Sequence, residues 1–455
     1  MADKNLFFRK IFKELIEWRS DLNESRPLIL LGARQVGKTH LLKLLNNNYL
    51  EGSSLHYFNF ERPEYVNPSN PSNSLELCFT DFDIEKIIER LSAFCKKNIK
   101  KNDLIVFDEI QDSSNALMSL KYFCEHGTFK VACAGSALGI HLSRSTFPVG
   151  KVKLITLYPL CFEEFLMAHL NFNNFNSEVF IDKFKNLTLN SLEHTIAEKA
   201  FFDFLYVGGM PKVLLCWFNS KLNILEKIEN SRTLQLELLK GYQDDMAKYA
   251  DSKDAISIAH LYAQCAYQLG RNDVKSVARF KFKNVLSGKK EYSQFIYYFD
   301  YLSSAHLIYK NYIIMHQPHY PLNSCIKESF FKIFYHDLGL LGARLDISYQ
   351  AIIENNYGYF KGFYLENFAA CELIPLTNNG HLLSWHEGDS EIEFLWATKK
   401  GAIFPIEVKS KSKSRAKSLK SYEIRYSPKF YLKFGADEKM TLYNISILIS
   451  KFSKL

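Results

Sequence analysis

The residues best equipped for chemistry in this chain are Gly32-Ala33-Arg34-Gln35-Val36-Gly37-Lys38-Thr39, the pattern G-x-x-x-x-G-K-T. Glycines there let backbone N–H groups turn inward around a phosphate, where side chains would block the approach. Lys38 can reach the outer phosphates of a nucleoside triphosphate, and the Thr39 hydroxyl can ligate Mg²⁺. Arg34, Gln35, Val36 and His40 complete the stretch expected to enclose ATP. A second run, Leu104-Ile105-Val106-Phe107-Asp108-Glu109, is four apolar residues ending in two acids. Asp108 is expected to hold Mg²⁺ through water, and Glu109 to polarise the attacking water as a general base. Ser136 ends the run Val131-Ala132-Cys133-Ala134-Gly135 and is a candidate sensor of the γ-phosphate or the lytic water. An ordinary strand-to-loop serine carries the same local signature. Lys38, Glu109 and Ser136 form the expected catalytic set.

These residues need elements that hold them. Pro27–Leu31 reads as a strand before the glycine loop and Leu41–Leu45 as a helix after it, the context in which the motif acquires meaning. The helix would aim the positive end of its dipole at the same anion. Strands are expected at Leu28–Leu31, Leu55–Phe60, Leu104–Phe107, Lys130–Cys133 and Val152–Leu157. Helices are expected near Thr39–Leu45, Ile84–Phe94 and Ser114–Cys124, and the alternation implies a parallel sheet with right-handed crossovers. The Pro-, Asn- and Ser-rich stretch Arg62–Ser74 reads as an exposed loop, and Asn171–Asn190 as a flexible insertion or lid edge. Helices follow at Leu192–Leu205, Asn223–Tyr249, Ala255–Leu269 and Tyr292–Leu307. A strand at Phe330–Tyr335, a helix at Gly362–Leu373 and strands at Glu391–Trp396 and Ala402–Val408 then imply a separate α/β domain.

At 455 residues the chain exceeds one core, so two to four domains are expected. Nine cysteines without a C-x-x-C pair suit free thiols in a reducing compartment. The N-terminal Phe7–Trp18 is apolar at helical spacing but laced with charge, and no run reaches roughly 18 uncharged apolar residues. A cytoplasmic protein without a membrane partner is the expectation. The net charge of +8 is modest for this length and does not by itself announce a polyanion.

The chain resembles AAA-type bacterial and archaeal ATPases that carry a C-terminal domain of uncharacterised function. The resemblance is carried by Gly32–Thr39, Phe107-Asp108-Glu109-Ile110-Gln111 and Gly135-Ser136. It continues through Leu157-Tyr158-Pro159-Leu160-Cys161-Phe162-Glu163-Glu164-Phe165, Val207-Gly208-Gly209-Met210-Pro211, Phe334-Tyr335-His336-Asp337-Leu338-Gly339 and Pro405-Ile406-Glu407-Val408-Lys409-Ser410. It implies an α/β chain that hydrolyses ATP with Mg²⁺. Its parts would be an AAA+/ASCE core with a parallel sheet (1–165), a helical lid (166–230), a winged-helix-like domain (231–325) and a restriction-endonuclease-like C-terminal domain (326–455). The family usually shows Gly-Arg where this chain has Gly150-Lys151, and serine where it has Cys161. Lysine lacks arginine's planar two-pronged contact with phosphate, which weakens any role as a finger into a neighbouring subunit. Arg144 is the nearby substitute, or else a solvated loop arginine.

Asp244–Tyr249 matches a family element in the middle segment. Arg279-Phe280-Lys281-Phe282-Lys283 interleaves cations with aromatics, which suits phosphates and bases. An amphipathic strand with both phenylalanines inward explains the same pattern and is favoured. In the last segment, Glu393 followed by Glu407-Val408-Lys409 resembles the acid then E-x-K signature of the endonuclease-like core, with Glu366 as a further acid. The resemblance implies that Glu366, Glu393 and Glu407 hold Mg²⁺ and that Lys409 activates a water. Glutamate at 393 is longer than the usual aspartate, and E-x-K on a strand is also plain surface chemistry. The cations Lys399, Lys400, Lys409, Lys411, Lys413, Arg415, Lys417 and Lys420 suit a DNA backbone or a solvated face. Partners left open by the sequence are DNA, another protein and a second copy of the chain.

Overall fold

The computed structural model describes residues 7–47, 53–61, 74–136, 138–139, 150–250, 252–268, 279–358, 360–377, 380–409, 417–435 and 441–454. The chain falls into two compact units. One takes in Arg9–Tyr158 together with Ser304–His306, and the other Pro159–Ser303 and Leu307 onward.

The first unit runs α1 (Phe12–Ser20), β1 (Leu28–Leu31), α2 (Lys38–Asn47), β2 (Leu55–Asn59), α3 (Ile84–Cys95), β3 (Leu104–Asp108), α4 (Ser114–His126), β4 (Lys130–Ala134) and β5 (Lys153–Thr156). Its strands are all parallel, in the order β2-β3-β4-β1-β5. Helices cover both faces, so the central strands β1, β3 and β4 are almost continuously buried, while the edge strand β2 alternates and β5 is mostly half-buried or exposed. Ile29, Ile105, Phe107, Val131 and Cys133 face one core with α3 and α4. Leu28, Leu30, Leu104, Val106, Ala132 and Ala134 face the other with α1 and α2. The period of two fixes which strand ends point at the glycine loop. Local signals set the helix ends: Ser113 Oγ accepts from Ala116 N at 3.1 Å to open α4, and Gly127 at φ 70° closes it.

The second unit contains α5 (Phe162–Phe172), α6 (Ser177–Asn186), α7 (Ser191–Val207), α8 (Pro211–Trp217), α9 (Ile224–Tyr249), α10 (Ser252–Gln268) and α11 (Ile296–Ser304). It continues with β6 (Ile308–Ile314), β7 (Phe331–Tyr335), α12 (Leu338–Arg344), α13 (Tyr349–Ile353), α14 (Phe360–Leu373), β8 (Leu382–Glu387), β9 (Ser390–Ile392), β10 (Phe394–Ala397), β11 (Ile403–Val408), α15 (Lys417–Tyr426), β12 (Leu432–Phe434) and α16 (Ile445–Phe452). One sheet has the order β7-β6-β8-β9 and the other β10-β11-β12. Because β6 pairs with both β7 and β8, this sheet draws strands from both sides of residue 325.

The stretch 171–190, expected as a flexible insertion, is largely helical. Its asparagines act as caps: Asn176 Oδ1 accepts from Val179 N at 3.3 Å, and Asn190 Oδ1 from Glu193 N at 2.9 Å. Phe280 is buried and Phe282 half-buried, both against Phe299 and Phe331, while Arg279, Lys281 and Lys283 are exposed. Apolar inside and cationic outside is the amphipathic arrangement, though no strand forms there. Residues 62–73 of the expected exposed loop lie outside the described residues.

Three of the sequence motifs meet within this unit. Asp337 caps α12 by accepting from Leu340 N at 2.9 Å, and its other oxygen accepts from Gly209 N at 2.6 Å. Gly209 O in turn accepts from Leu160 N at 2.8 Å. Cys161 occupies the N-cap position of α5, with Glu164 Oε2 reaching back to Cys161 N at 3.2 Å. Serine is a stronger cap there, which is the physical content of that departure.

Candidate active site

The glycine loop leaves β1 through three left-handed or near-left-handed residues, Gly32 (φ 137°), Gln35 (φ 62°) and Gly37 (φ 106°), and enters α2 at Lys38. A Cβ on Gly32 would stand 2.2 Å from Leu157 O, so nothing larger than glycine fits beneath this loop. Arg9 ties the loop to the strand beside it, donating to Val36 O at 3.3 Å and Tyr158 O at 2.5 Å. The buried Lys38 ammonium donates to Gly32 O at 2.7 Å and Ala33 O at 2.9 Å. Arg34 is half-buried, whereas Gln35 and His40 are exposed on the loop's outer side.

β3 delivers the acids. Asp108 Oδ2 accepts from Thr39 Oγ1 at 2.8 Å and from Tyr57 OH at 2.5 Å. Hydroxyl and carboxylate thus converge as a Mg²⁺ site requires, and the residues present fit that ion. Glu109 has a left-handed backbone (φ 52°) that turns its side chain off the strand end. Its Oε2 accepts from Gln111 Nε2 at 2.6 Å, Ser136 N at 2.9 Å and Ser136 Oγ at 3.1 Å. Ser136 is therefore beside the acid expected to act as base, and its hydroxyl orients that acid. Gln111 packs on Gly135, where a Cβ would lie 1.8 Å from Gln111 Oε1.

Sequence reasoning did not single out Tyr57, Gln111 or His306 for roles. Tyr57 sits on β2, whose register sets Asn59 opposite Asp108, a pairing invisible without the sheet order. His306 belongs to the Ser304–His306 segment; its ring stands edge-on to Tyr158 at 6.5 Å, and Ser304 O fills the space a Cβ on Gly139 would need. Burial first, then the nearby Lys38 ammonium, pushes His306 down to about 4. Between pH 6.5 and 4 the unfolded histidine takes up a proton that the folded one does not, so stability falls on acidification through that window. His306→Gln is expected to reduce the stability lost between pH 7 and 5 by about 1–2 kcal/mol, read from urea melts at the two pH values.

Lys151 pairs with Glu125 at 3.2 Å and is half exposed. Arg144, Lys411, Lys413 and Arg415 lie outside the described residues. The acids of the last segment are brought together, but with lysines among them. Lys409 Nζ is 3.2 Å from both Glu393 Oε1 and Glu407 Oε1, and Lys332 Nζ is 3.2 Å from Glu366 Oε2. Among the described residues no three His, Cys, Asp or Glu side chains form a group that could hold a metal. In this structure Glu366, Glu393 and Glu407, the acids expected to hold a metal, are engaged in carboxylate–ammonium pairs. Burial holds Glu393 up at about 7, against the pull of Lys409.

The strand order, the glycine loop and the acid pair define an α/β P-loop ATPase core of the AAA+ kind, in which β4 separates the acid strand from the loop strand. Residues 24–166 match the AAA domain (AAA_14), and residues 198–351 and 361–447 match two domains of unknown function, DUF8612 and DUF4143. No curated protein matches. Among solved structures, the chain is similar to a Signal Transduction ATPase with Numerous Domains protein with a tetratricopeptide repeat sensor from Pyrococcus horikoshii. Identity is 13% and the TM-score 0.29, over 82% of this chain and 46% of that one, so the chain spans less than half of it. Drosophila ORC bound to DNA is similar at 12% identity and TM-score 0.31, over 69% and 88%. AMPPCP-bound DnaA from Aquifex aeolicus is similar at 14% and 0.24, over 58% and 79%. Among the described residues no helix is long and apolar enough to cross a membrane.

Proposed function

We propose that this chain binds and hydrolyses ATP with Mg²⁺, and that it does so on or near DNA. The observation that carries the nucleotide reading is the 2.8 Å contact between Thr39 Oγ1 and Asp108 Oδ2, which closes the glycine loop onto the acid strand. Lys38 sits where its ammonium can exchange two carbonyls for phosphate oxygens. Glu109 accepts the proton of a water whose oxygen bonds to the terminal phosphorus as the anhydride bond breaks. Ser136 and Gln111 fix the Glu109 carboxylate while it does so, and Tyr57 fixes Asp108. Mg²⁺, when bound, supplies charge neutralisation between the outer phosphates.

The exposed cations Lys399, Lys400, Lys417 and Lys420 support a nucleic-acid partner. A second reading keeps the ATPase and makes the C-terminal module a binding surface without cleavage, so that nucleotide state switches a partner. The lysine-compensated acids favour that module assignment. Steady-state turnover, measured across protein concentration with and without DNA, tests both. Lys38→Ala is expected to lower turnover by at least about 100-fold, since a charge that meets the transferring phosphoryl group is removed. Turnover per chain that rises with concentration would mark self-association. DNA stimulation supports the first reading, and no DNA binding at low salt supports the second.

A further inference from the structure

Lys332 lies in the middle of β7, between buried Phe331 and Ile333, with 3% of its surface exposed. Its partner across the ladder, Asn311 on β6, is itself fully buried and donates to Glu393 O at 3.1 Å. The Lys332 ammonium is held between the carboxylates of Glu366, at 3.2 Å from α14, and Glu391 from β9. Glu393 occupies the break between β9 and β10, where its Oε2 accepts from Val408 N at 3.1 Å. Its Oε1 meets the ammonium of Lys409, which also faces the wholly buried Glu407. Four carboxyls, from a helix, two strands and the break between β9 and β10, thus surround two ammoniums.

Burial alone would strip a lysine of its proton. Here the carboxylates of Glu366 and Glu391 stand against the ammonium and offset that tendency. A buried acid cluster needs a cation of some kind, because uncompensated buried charge is strongly destabilising. Such a cluster in a metal-dependent phosphodiesterase would supply that need with Mg²⁺ or Mn²⁺. In this chain a strand-borne side chain meets it, and the ladder pairing of β7 keeps that side chain from leaving.

We propose that the acidic centre of the C-terminal half is a cation site filled by the protein's own Lys332, and that removing this ammonium uncovers a divalent-metal site. The proposal rests on the second reading of the C-terminal module and not on the nucleotide site. Measurements on nucleotide-free full-length protein keep the two apart. The probe is Mn²⁺, its uptake read by electron paramagnetic resonance and its effect by thermal melting. Lys332→Ala is expected to take up one more Mn²⁺ per chain than wild type and to gain melting temperature with Mn²⁺. The wild-type melting temperature stays unchanged, and Lys332→Ala/Glu366→Gln loses the extra ion. Should Lys332→Ala fold poorly, Mn²⁺, Mg²⁺ or ethylammonium is expected to restore its circular dichroism, while Lys332→Arg needs none of them. The proposal is overturned if wild type binds that ion and Glu366→Gln loses it. Folded Lys332→Ala that takes up no extra Mn²⁺ overturns it too, as does a variant that none of the three cations restores. Mg²⁺-dependent plasmid cleavage by wild type that Lys409→Ala abolishes has the same effect.

Discussion

Glu109→Gln is expected to leave MgATP affinity within about twofold of wild type while lowering turnover by about 100- to 10,000-fold. Glu109 is held by Gln111 and Ser136, outside the glycine loop, and so adds little to ground-state binding. Its Oε2 accepts from Gln111 Nε2 and from both donors of Ser136, and a glutamine carbonyl can accept the same bonds. The substitution thus preserves geometry and removes the one property at issue, the capacity to take a proton. A fall in turnover with unchanged affinity identifies an interaction made only at the transition state. Calorimetry with MgATP and a phosphate-release assay on the same preparation check it. A loss of affinity matching the loss of turnover would show instead that Glu109 shapes the pocket. Ser136→Ala offers a graded companion: the base loses one of its three donors and turnover falls less.

Gly209→Ala is expected to destabilise the second unit by about 3–5 kcal/mol, the combined cost of overpacking and a broken charge-assisted hydrogen bond. A methyl group at Gly209 would stand 2.2 Å from Leu160 O and 2.7 Å from Leu160 N, both backbone atoms. Retreat is blocked, because Gly209 O is bonded to Leu160 N and Gly209 N to Asp337 Oδ2. Lys212→Ala, three residues on at an exposed surface pair, is the control and should stay within about 0.5 kcal/mol. Asp337 adds a pH signature, since burial pushes its carboxyl up to about 6, above the usual carboxylate range. The stability linked to that proton is fully present below about 4 and is lost as pH rises through 6. Asp337→Asn, which cannot titrate and keeps only one of the two acceptor oxygens, should flatten that slope while costing stability at both pH values. Denaturant melts at pH 4.5 and 7 give both answers.

The first unit was legible in the sequence because its signals are local. A central parallel strand is a near-continuous apolar run, as in β1, β3 and β4, and all five strands of the first unit appear within one residue of their expected ends. Glycines and paired acids at those ends marked Gly32, Lys38, Thr39, Asp108 and Glu109 without reference to anything distant. What escaped was whatever depends on register. Tyr57 reaches Asp108 only because β2 lies beside β3. β6 and β8 were missed because they carry polar residues such as Lys310, Asn311 and Ser384 at buried positions, where Asn311 Nδ2 donates to Glu393 O and Ser384 Oγ to Tyr312 O. The E-x-K signature had the same limit: spacing identified Glu407 and Lys409 as neighbours, but not the pairing of Glu366 and Glu391 with Lys332, more than seventy residues earlier in the chain.

The Ser304–His306 segment has a practical bearing on how this protein can be cut into pieces. A fragment ended at Tyr158 by protease or by cloning would retain every residue of the two ATPase motifs yet lack the tripeptide that fills the space over Gly139 and covers Tyr158. Sluggish turnover in such a truncate would reflect a missing plug rather than a missing catalyst, and a synthetic peptide spanning that turn should restore part of it.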